Sequence, residues 1–472
     1  MVATVTEIEA PIEQAESSAD PSAPSEAVAP TAPPARATFR TVLRHGDFRN
    51  LWLGQIISQM GDYFATLAIL VVVSGFSNDV AGTTQSVSGL MIAFSLPRLL
   101  FGVLAGVFVD RWDRRRTMIV ADVLRAGLTL AMIPAFLAHN LWLILALTFV
   151  LSTFGTLFNP AKGAIIPRLV PAEQLTAANA LSQTSQMLAT FIGPALAGLT
   201  FSAVGKGNEW VAFVINAVSF LVSALAVWRI TAQRGAAPPP SVAAGADEIG
   251  AVRRVWADLR VGLRALLGSR TMATLSAVMG ITMLGVGALN VLWIVYLKTR
   301  FGFEAADLAG RVAIMDIAFS AGMVLATGLV GNVLSSLAPK WLVVGGLTFA
   351  GLMTLPMGYI GDYTLLVGLM FAVGFGVGPI SAGISSLMQI VVPNEQLGRV
   401  GGGFGTIVDM AMLLSVSMAG ALGGWLGIPA VLFLSGLCCI GGGVLAFMRL
   451  PALTLKDKVE SAPVEADAAL AA

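Results

Sequence analysis

The chain has 472 residues, of which 56% are hydrophobic and 12% charged, with a formal net charge of +1 and a mean hydropathy of +0.82. An ordinary water-soluble globule does not have that composition, and no basic surplus exists to neutralise a phosphate backbone; the chain is read as a lipid-embedded protein with no nucleic-acid partner and no enzymatic role. Cys438 and Cys439 are neighbours in an apolar run without metal-ligand spacing and read as small packing residues, so no metal site and no cofactor is expected.

Residues 1–38 are rich in Ala, Pro, Ser and Glu and lack a basic start followed by an apolar core, the pattern of a disordered cytoplasmic tail and not of a signal peptide. Apolar runs of about 20 residues then recur, the length a helix needs to cross roughly 30 Å of hydrocarbon. They predict helices near 50–76, 85–109, 117–138, 141–159, 177–204 and 209–229, then 272–298, 308–334, 341–360, 363–390, 400–424 and 428–449. The expected fold class is an all-α membrane protein of twelve transmembrane helices in two pseudo-symmetric six-helix bundles, 39–230 and 272–450, with a linker over 231–271 and a cytoplasmic tail over 451–472. Only His139 and Asn140 separate the third and fourth runs, so the count depends on a turn there. Within the linker, 235–250 is an Ala/Pro/Gly/Ser tether. From Val252 onward Val255, Trp256, Leu259, Leu263, Leu266 and Leu267 recur at helical spacing, with Arg253, Arg254, Arg260 and Arg264 between them. Such a helix either lies in the headgroup layer with its arginines on lipid phosphates or packs on the underside of the bundle.

With the amino terminus inside, the cytoplasmic segments hold 22 of the 28 Lys and Arg residues, and the external ones hold Lys206, Lys298, Arg300 and Arg311. The positive-inside rule then places both termini in the cytoplasm of a multi-pass plasma-membrane protein. Val170-Pro171-Ala172-Glu173-Gln174-Leu175 returns 222 residues later as Val392-Pro393-Asn394-Glu395-Gln396-Leu397, and Ala197-Gly198 returns as Ala419-Gly420. Each string precedes or sits in a Gly/Ala-rich helix, which points to a duplicated six-helix unit. Gly106 falls near Gly331 at almost the same offset, whereas Asp110 corresponds to Ser335, and little of the basic run returns beyond Lys340.

The turn between the second and third runs, Gly106 through Asp110, Arg111, Arg114, Arg115 and Arg116, resembles the loop signature of the major facilitator superfamily. His45 to Gln55, Gly61-Asp62, Ala121-Asp122-Val123-Leu124-Arg125 and Phe158 to Ala164 before Pro167 resemble the bacterial exporter branch that includes the enterobactin exporter and macrolide efflux proteins. Gly193-Pro194-Ala195-Leu196-Ala197-Gly198 resembles the Gly-Pro element of the superfamily's antiporters, with Ala197 where a second glycine is usual. The resemblance covers about 40 to 450 and implies a monomeric secondary transporter that holds its substrate between the halves, with export favoured over uptake. Lys162 stands where arginine is commoner, a change that keeps the charge and loses a planar fork. In the gating motif (Gly106, Asp110, Arg111, Arg114, Arg115), the Gly102/Gly106 pair would let helices approach closely. Asp110 would accept hydrogen bonds from a neighbouring helix start or the adjoining arginines, holding the loop, gating the cytoplasmic side, or both.

Charges within helices are costly in hydrocarbon, from about 2.5 kcal/mol upward at the centre, unless paired or wet. Asp122 and Arg125, at i and i+3, can pair locally as a structural unit. Asp62, Arg98, Asp316 and Asp409 are the candidates for proton coupling. Asp62 and Arg98 lie on consecutive helices and are expected to pair with each other; the alternative has Arg98 meeting backbone carbonyls near Pro97 and Asp62 bonding Gln59 or water. Polar stripes (Gln55, Gln59, Asp62 and Thr66; Asn179, Gln183, Gln186 and Thr190; Asp316, Ser320 and Thr327) imply a shared wet surface. Gln55, Gln59, Asn179, Gln183 and Gln186, with Asn290 and Trp293 of the seventh helix, are the substrate-cavity candidates. Methionine and aromatic neighbours such as Met91, Phe94, Met283 and Tyr296 suit a bulky amphipathic solute. No Gly-x-x-x-x-Gly-Lys-Ser/Thr string exists, so the chain does not hydrolyse ATP itself. Burial favours a neutral carboxylate and a nearby arginine a charged one, which makes protons the expected coupling ion. The reading is a proton-coupled exporter of a small amphipathic compound of drug, macrolide or siderophore class, in contact with membrane lipid. An uncoupled facilitator or lysolipid flippase of the same fold, and a transporter-like sensor without flux, are the alternatives.

Overall fold

Lipid offers no partner to a backbone N–H or C=O, so a segment that crosses it must satisfy its own groups, and among the described residues every element is helical. The computed structural model describes residues 39–77, 79–204, 208–231, 257, 260, 263–264, 266–303, 305–332, 337–393 and 396–453; the side chains of 103–111 and of several further helix residues, Pro194 among them, lie outside the description. The tail 1–38, the tether 235–250 and most of the following helix, Ser335, and the end of the carboxyl tail also fall outside it.

After a short helix, Phe39–Leu43, six long helices follow: α1 Gly46–Ser74, α2 Val80–Arg111, α3 Arg114–Leu137, α4 Leu141–Ile165, α5 Leu175–Val204 and α6 Trp210–Trp228. Six more come after the linker: α7 Arg270–Phe301, α8 Ala305–Asn332, α9 Pro339–Thr354, α10 Tyr363–Val391, α11 Leu397–Leu426 and α12 Ile428–Arg449. Among the described residues ten of these are long and apolar enough to cross a membrane; α2 and α5 each include residues outside the description. The α3–α4 turn forms as expected: Asn140 caps α4 by accepting from Leu143 N–H at 3.0 Å, and His139 takes a left-handed φ of 48°. In α4 the expected stop at Asn159 is overrun. The helix continues through Pro160 to Ile165, which Pro tolerates where neighbouring packing compensates the missing donor.

Within the first half α1 packs on α5 and α6, α2 on α4, and α3 on α4 and α6; within the second, α7 packs on α11 and α12, α8 on α10, and α9 on α10 and α12. Each pair recurs six helices later. Helices α5 and α11 are both 30 residues long and both begin at the leucine of the repeated string. The halves meet through α5 with α8 and α2 with α11.

The end that carries the Arg114–Arg116 turn is called the basic end, and the opposite one the far end. At the far end a single apolar core draws on both halves, with Phe64, Leu90 and Phe201 packed in one cluster with Val291, Met315 and Val416. At the basic end the cores are separate: Phe48, Met118, Phe158 and Leu181 in one half, Met272, Leu275, Val343 and Leu387 in the other. Leu266 of the linker helix is buried in the latter cluster while Arg260 and Arg264 are exposed, so of its two expected placements Leu266 takes the packed one. Exposed Trp142, Trp425 and Tyr359 ring the far end and Trp112, Trp228 and Trp341 the basic end, the two aromatic belts of a membrane-spanning protein.

The far end is also tied by polar contacts. Lys298 Nζ of α7 donates to the carbonyls of Ser74 at 2.7 Å and Ser77 at 2.9 Å, placing a cation on the C-terminal carbonyls of α1. In the same loop the Ser77 hydroxyl and then the Gly82 amide hold the Asp79 carboxyl below the usual carboxylate range. Among the described residues a Cβ at Gly102 would meet only its own Arg98, and its partner Gly106 lies outside the description; tight crossings fall at Gly322 and Gly374, where a Cβ would run into the backbone of the facing α10 or α8. A Cβ at Gly420 would lie 3.8 Å from Gln85 Cα. A Gln85→Cys/Gly420→Cys pair should therefore oxidise readily to a disulfide in the purified protein, seen as a mobility shift after cleavage of the linker.

Candidate functional site

One face of α5 shows how the halves diverge. Ala197 and Phe201 are buried in the shared core, whereas Asn179, Gln183 and Gln186 on the same face are exposed; Gln186 and Ala197 are eleven residues apart, about 16 Å along the axis. On α2, Thr84 and Ser88 are buried, while the Arg98 side chain is 67% exposed. A cleft between the halves is thus sealed at the far end and opens toward the basic end.

Arg98 bridges that cleft. Its Nε donates to Asp409 Oδ2 of α11 at 3.0 Å and its Nη2 to Oδ1, a bidentate pair across the two halves. The expected Asp62–Arg98 pair is not formed, nor does Arg98 turn back to carbonyls at Pro97, through which α2 runs unbroken. The reason is helical phase. Arg98 continues the Thr84–Ser88 face of α2, which looks at α11, whereas Asp62 follows Gly61, which is pressed against Asn216 and Ser219 of α6.

Asp62 instead takes the guanidinium of Arg125: Nη2 donates to Oδ1 at 3.2 Å and to Oδ2 at 3.1 Å. Arg125 Nη1 lies 3.6 Å from Asp122 Oδ1, so the expected local pair is present and is joined by a second carboxylate. Phe220 of α6 covers the guanidinium at 4.0 Å. Asp122 is wholly buried and neither of its oxygens has a hydrogen-bond partner; Asp62 keeps 39% of its side chain exposed. Two carboxylates thus compete for one cation, one of them dry and one reachable. Asp316 of α8 is half-buried, and no hydrogen bond or ion pair engages it among the described residues.

Gln55 and Gln59 line a recess with Trp52, Lys162, Ser182 and Ser185. Asn290 is exposed and donates to Val286 carbonyl at 3.0 Å. Trp293 does not line the cleft: it stacks on Tyr296 at 6.1 Å within the shared core. In the gating motif the side chains of Gly106, Asp110 and Arg111 lie outside the described residues. Arg114 donates to Ala164 carbonyl at 3.3 Å, and Arg115 to the carbonyls of Val227, at 3.1 Å, and Trp228, tying the turn to α4 and the end of α6. Gly193 sits against the Tyr63 ring, and any Cβ would overlap it; Gly198 is buried. Sequence reasoning passed over Asn216, Ser219 and Phe220. The polar residues of α6, at i, i+3 and i+7 with Ser223, were a readable signal; the ring over Arg125 was not.

A two-bundle membrane protein with charges facing a cleft that opens at one end has the architecture of a transporter. Residues 51–406 match the Major Facilitator Superfamily, and the chain belongs to that superfamily; it is a transporter and not an enzyme. It is 25% identical over 396 residues to the MFS-type transporter YkuC of Bacillus subtilis, covering 83% of this chain and 86% of the relative. It is 27% identical over 400 residues to macrolide efflux protein A of Streptococcus pyogenes, covering 82% and 92%. Among solved structures, an inward-facing bacterial homologue of the iron transporter ferroportin shares the fold at TM-score 0.65 and 16% identity, covering 86% of this chain and 98% of that one. A D-xylose–proton symporter does so at TM-score 0.63 and 14% identity, covering 85% and 98%.

Removing the cation that two carboxylates share should be worse than removing either carboxylate. Arg125→Leu should lose about 3–5 kcal/mol of stability, read as a large drop in melting temperature in detergent, and adding Asp122→Asn to it should recover part of the loss.

Proposed function

We propose that this chain is a proton-coupled exporter of small amphipathic compounds, seated in the plasma membrane with both termini in the cytoplasm. The observation that carries the reading is the cleft sealed at the far end, open at the basic end and bridged by Arg98–Asp409. The basic end holds most of the Lys and Arg, which supports its being cytoplasmic, so the cleft is open to the compartment from which an exporter loads. Similarity to macrolide efflux protein A supports efflux of a small molecule.

The coupling step uses the shared cation. With Asp62 ionised, Arg125 is held between α1 and α3; a proton on the more exposed Asp62 releases the guanidinium to Asp122, 3.6 Å from it on the same helix. That change loosens α1 from α3 and α6. Making and breaking Arg98–Asp409 then accompanies closure of the basic end and opening of the far end. Asp316 and Asp409 are the other carboxylates that such a cycle can protonate. Asn179, Gln183, Gln186 and Asn290, exposed along α5 and α7, support a polar lining for substrate.

In reconstituted vesicles with an imposed pH gradient, Asp62→Asn should abolish proton-driven export while substrate binding persists and no longer varies with pH. Undiminished proton-driven flux would remove Asp62 from the cycle, and uncoupler-insensitive flux in the unmodified protein would turn the reading to a facilitator. Orientation is tested separately: tags after Ala81 and Asp362 should be reached from outside and one after Ala243 only from the cytoplasm.

A further inference from the structure

Between α1, α4 and α5, Phe48, Trp52, Gln55, Gln59, Lys162 and Ser182 line a partly open recess of about 10 Å³. Its depth has room for a water-sized group and not for a whole drug-sized molecule, so what it can hold is a head group. Two of its polar groups lack a complement. Lys162 is half-buried, and no carboxylate or hydrogen-bond acceptor engages it among the described residues. Gln59 Oε1 is fully buried and receives no hydrogen bond. A desolvated ammonium without a counter-charge and a buried acceptor without a donor each penalise the empty recess. Two further wall residues are committed to each other and to the backbone: Trp52 Nε1 donates to Ser185 Oγ at 2.6 Å, and that hydroxyl donates to Leu181 carbonyl at 2.8 Å. The indole is thereby fixed with its ring available to an apolar tail, alongside Leu51, Ile56 and Ile166.

We propose that this recess binds the carboxylate head of an amphipathic organic acid that carries an N–H or O–H donor next to the carboxylate, with N-acylated amino acids as the fitting class. The carboxylate meets Lys162, and the neighbouring donor meets Gln59 Oε1. The acyl portion lies along Trp52 and into the cleft. A cationic amphiphile is disfavoured there, because its charge meets Lys162 unscreened. The inference rests on the exporter reading for its direction of loading and not for the binding itself.

The test is a fluorescence titration of the full chain in phosphatidylcholine nanodiscs with dansylglycine, its methyl ester and dansylsarcosine, which lacks the N–H. The unmodified protein should bind the acid about tenfold or more tightly than the ester. Lys162→Gln should remove that preference, and Lys162→Arg should retain it, which separates lost charge from misfolding. Gln59→Leu should weaken dansylglycine and leave dansylsarcosine unchanged. Equal binding of acid and ester, or no binding of either, would overturn the proposal. Displacement of the dye by added phosphatidylglycerol would assign the recess to lipid headgroups and overturn it as a substrate site. Acid-selective binding by a protein that moves nothing across a pH gradient would support the recess and sink the exporter reading alone.

Discussion

A charge facing hydrocarbon must be matched within the protein or reached by water, and the arrangement of this molecule follows from that constraint. Arg98 meets Asp409, Arg125 meets Asp62 and Asp122, and Lys298 meets carbonyls at a helix end. None of these groups can be turned outward, so the faces that carry them fix which helices look at one another. The outward faces of α3 and α5, with Val120, Val123 and Leu124 on one and Leu188, Ile192 and Leu199 on the other, are exposed and apolar, as lipid requires. The cleft is where the inward polar faces cannot be covered by apolar packing.

The scaffold repeats itself more faithfully than its chemistry does. Helix α11 repeats α5 in length and in starting residue. Under the 222-residue offset, however, Asp409 corresponds to Met187, and Asn179, Gln183 and Gln186 correspond to Gly401, Gly405 and Val408. The symmetric packing lets the halves rock as similar bodies, while the unshared side chains make one half the bearer of Lys162 and the Asp62–Arg125–Asp122 group. Among the described residues the halves are joined by the α5–α8 and α2–α11 packing, which includes the far-end core, by Lys298 on the first loop and by Arg98–Asp409.

Much of this was legible before any coordinate. Runs of apolar residues located the helices to within a few residues because crossing length is set by the bilayer, and the Val170–Leu175 string located the repeat. The i,i+3 relation of Asp122 and Arg125 is local geometry, so their proximity followed from spacing alone. Where α4 ends was less legible, since Pro160 would stop a helix in water and does not stop one that its neighbours support. The polarity of Asn179, Gln183 and Gln186 marked a wet face, and the structure leaves that face exposed along the open part of the cleft.

By itself the sequence determined the number and length of the helices, the duplication, the basic end and which residues are charged, because each is a property of consecutive or helically spaced residues. Partner choice was decided only by tertiary structure. Asp62 and Arg98 lie on consecutive helices and at similar depth, yet each turns its side chain to a different neighbour, since a helix rotation of some 100° per residue separates faces that sequence distance treats as adjacent. The same holds for Trp293, whose composition suits a ligand wall but whose phase on α7 buries it in the shared core. Which end of the cleft is open is likewise no property of any segment: it depends on whether the two halves share one apolar core or keep two, and that balance exists only once all twelve helices are packed.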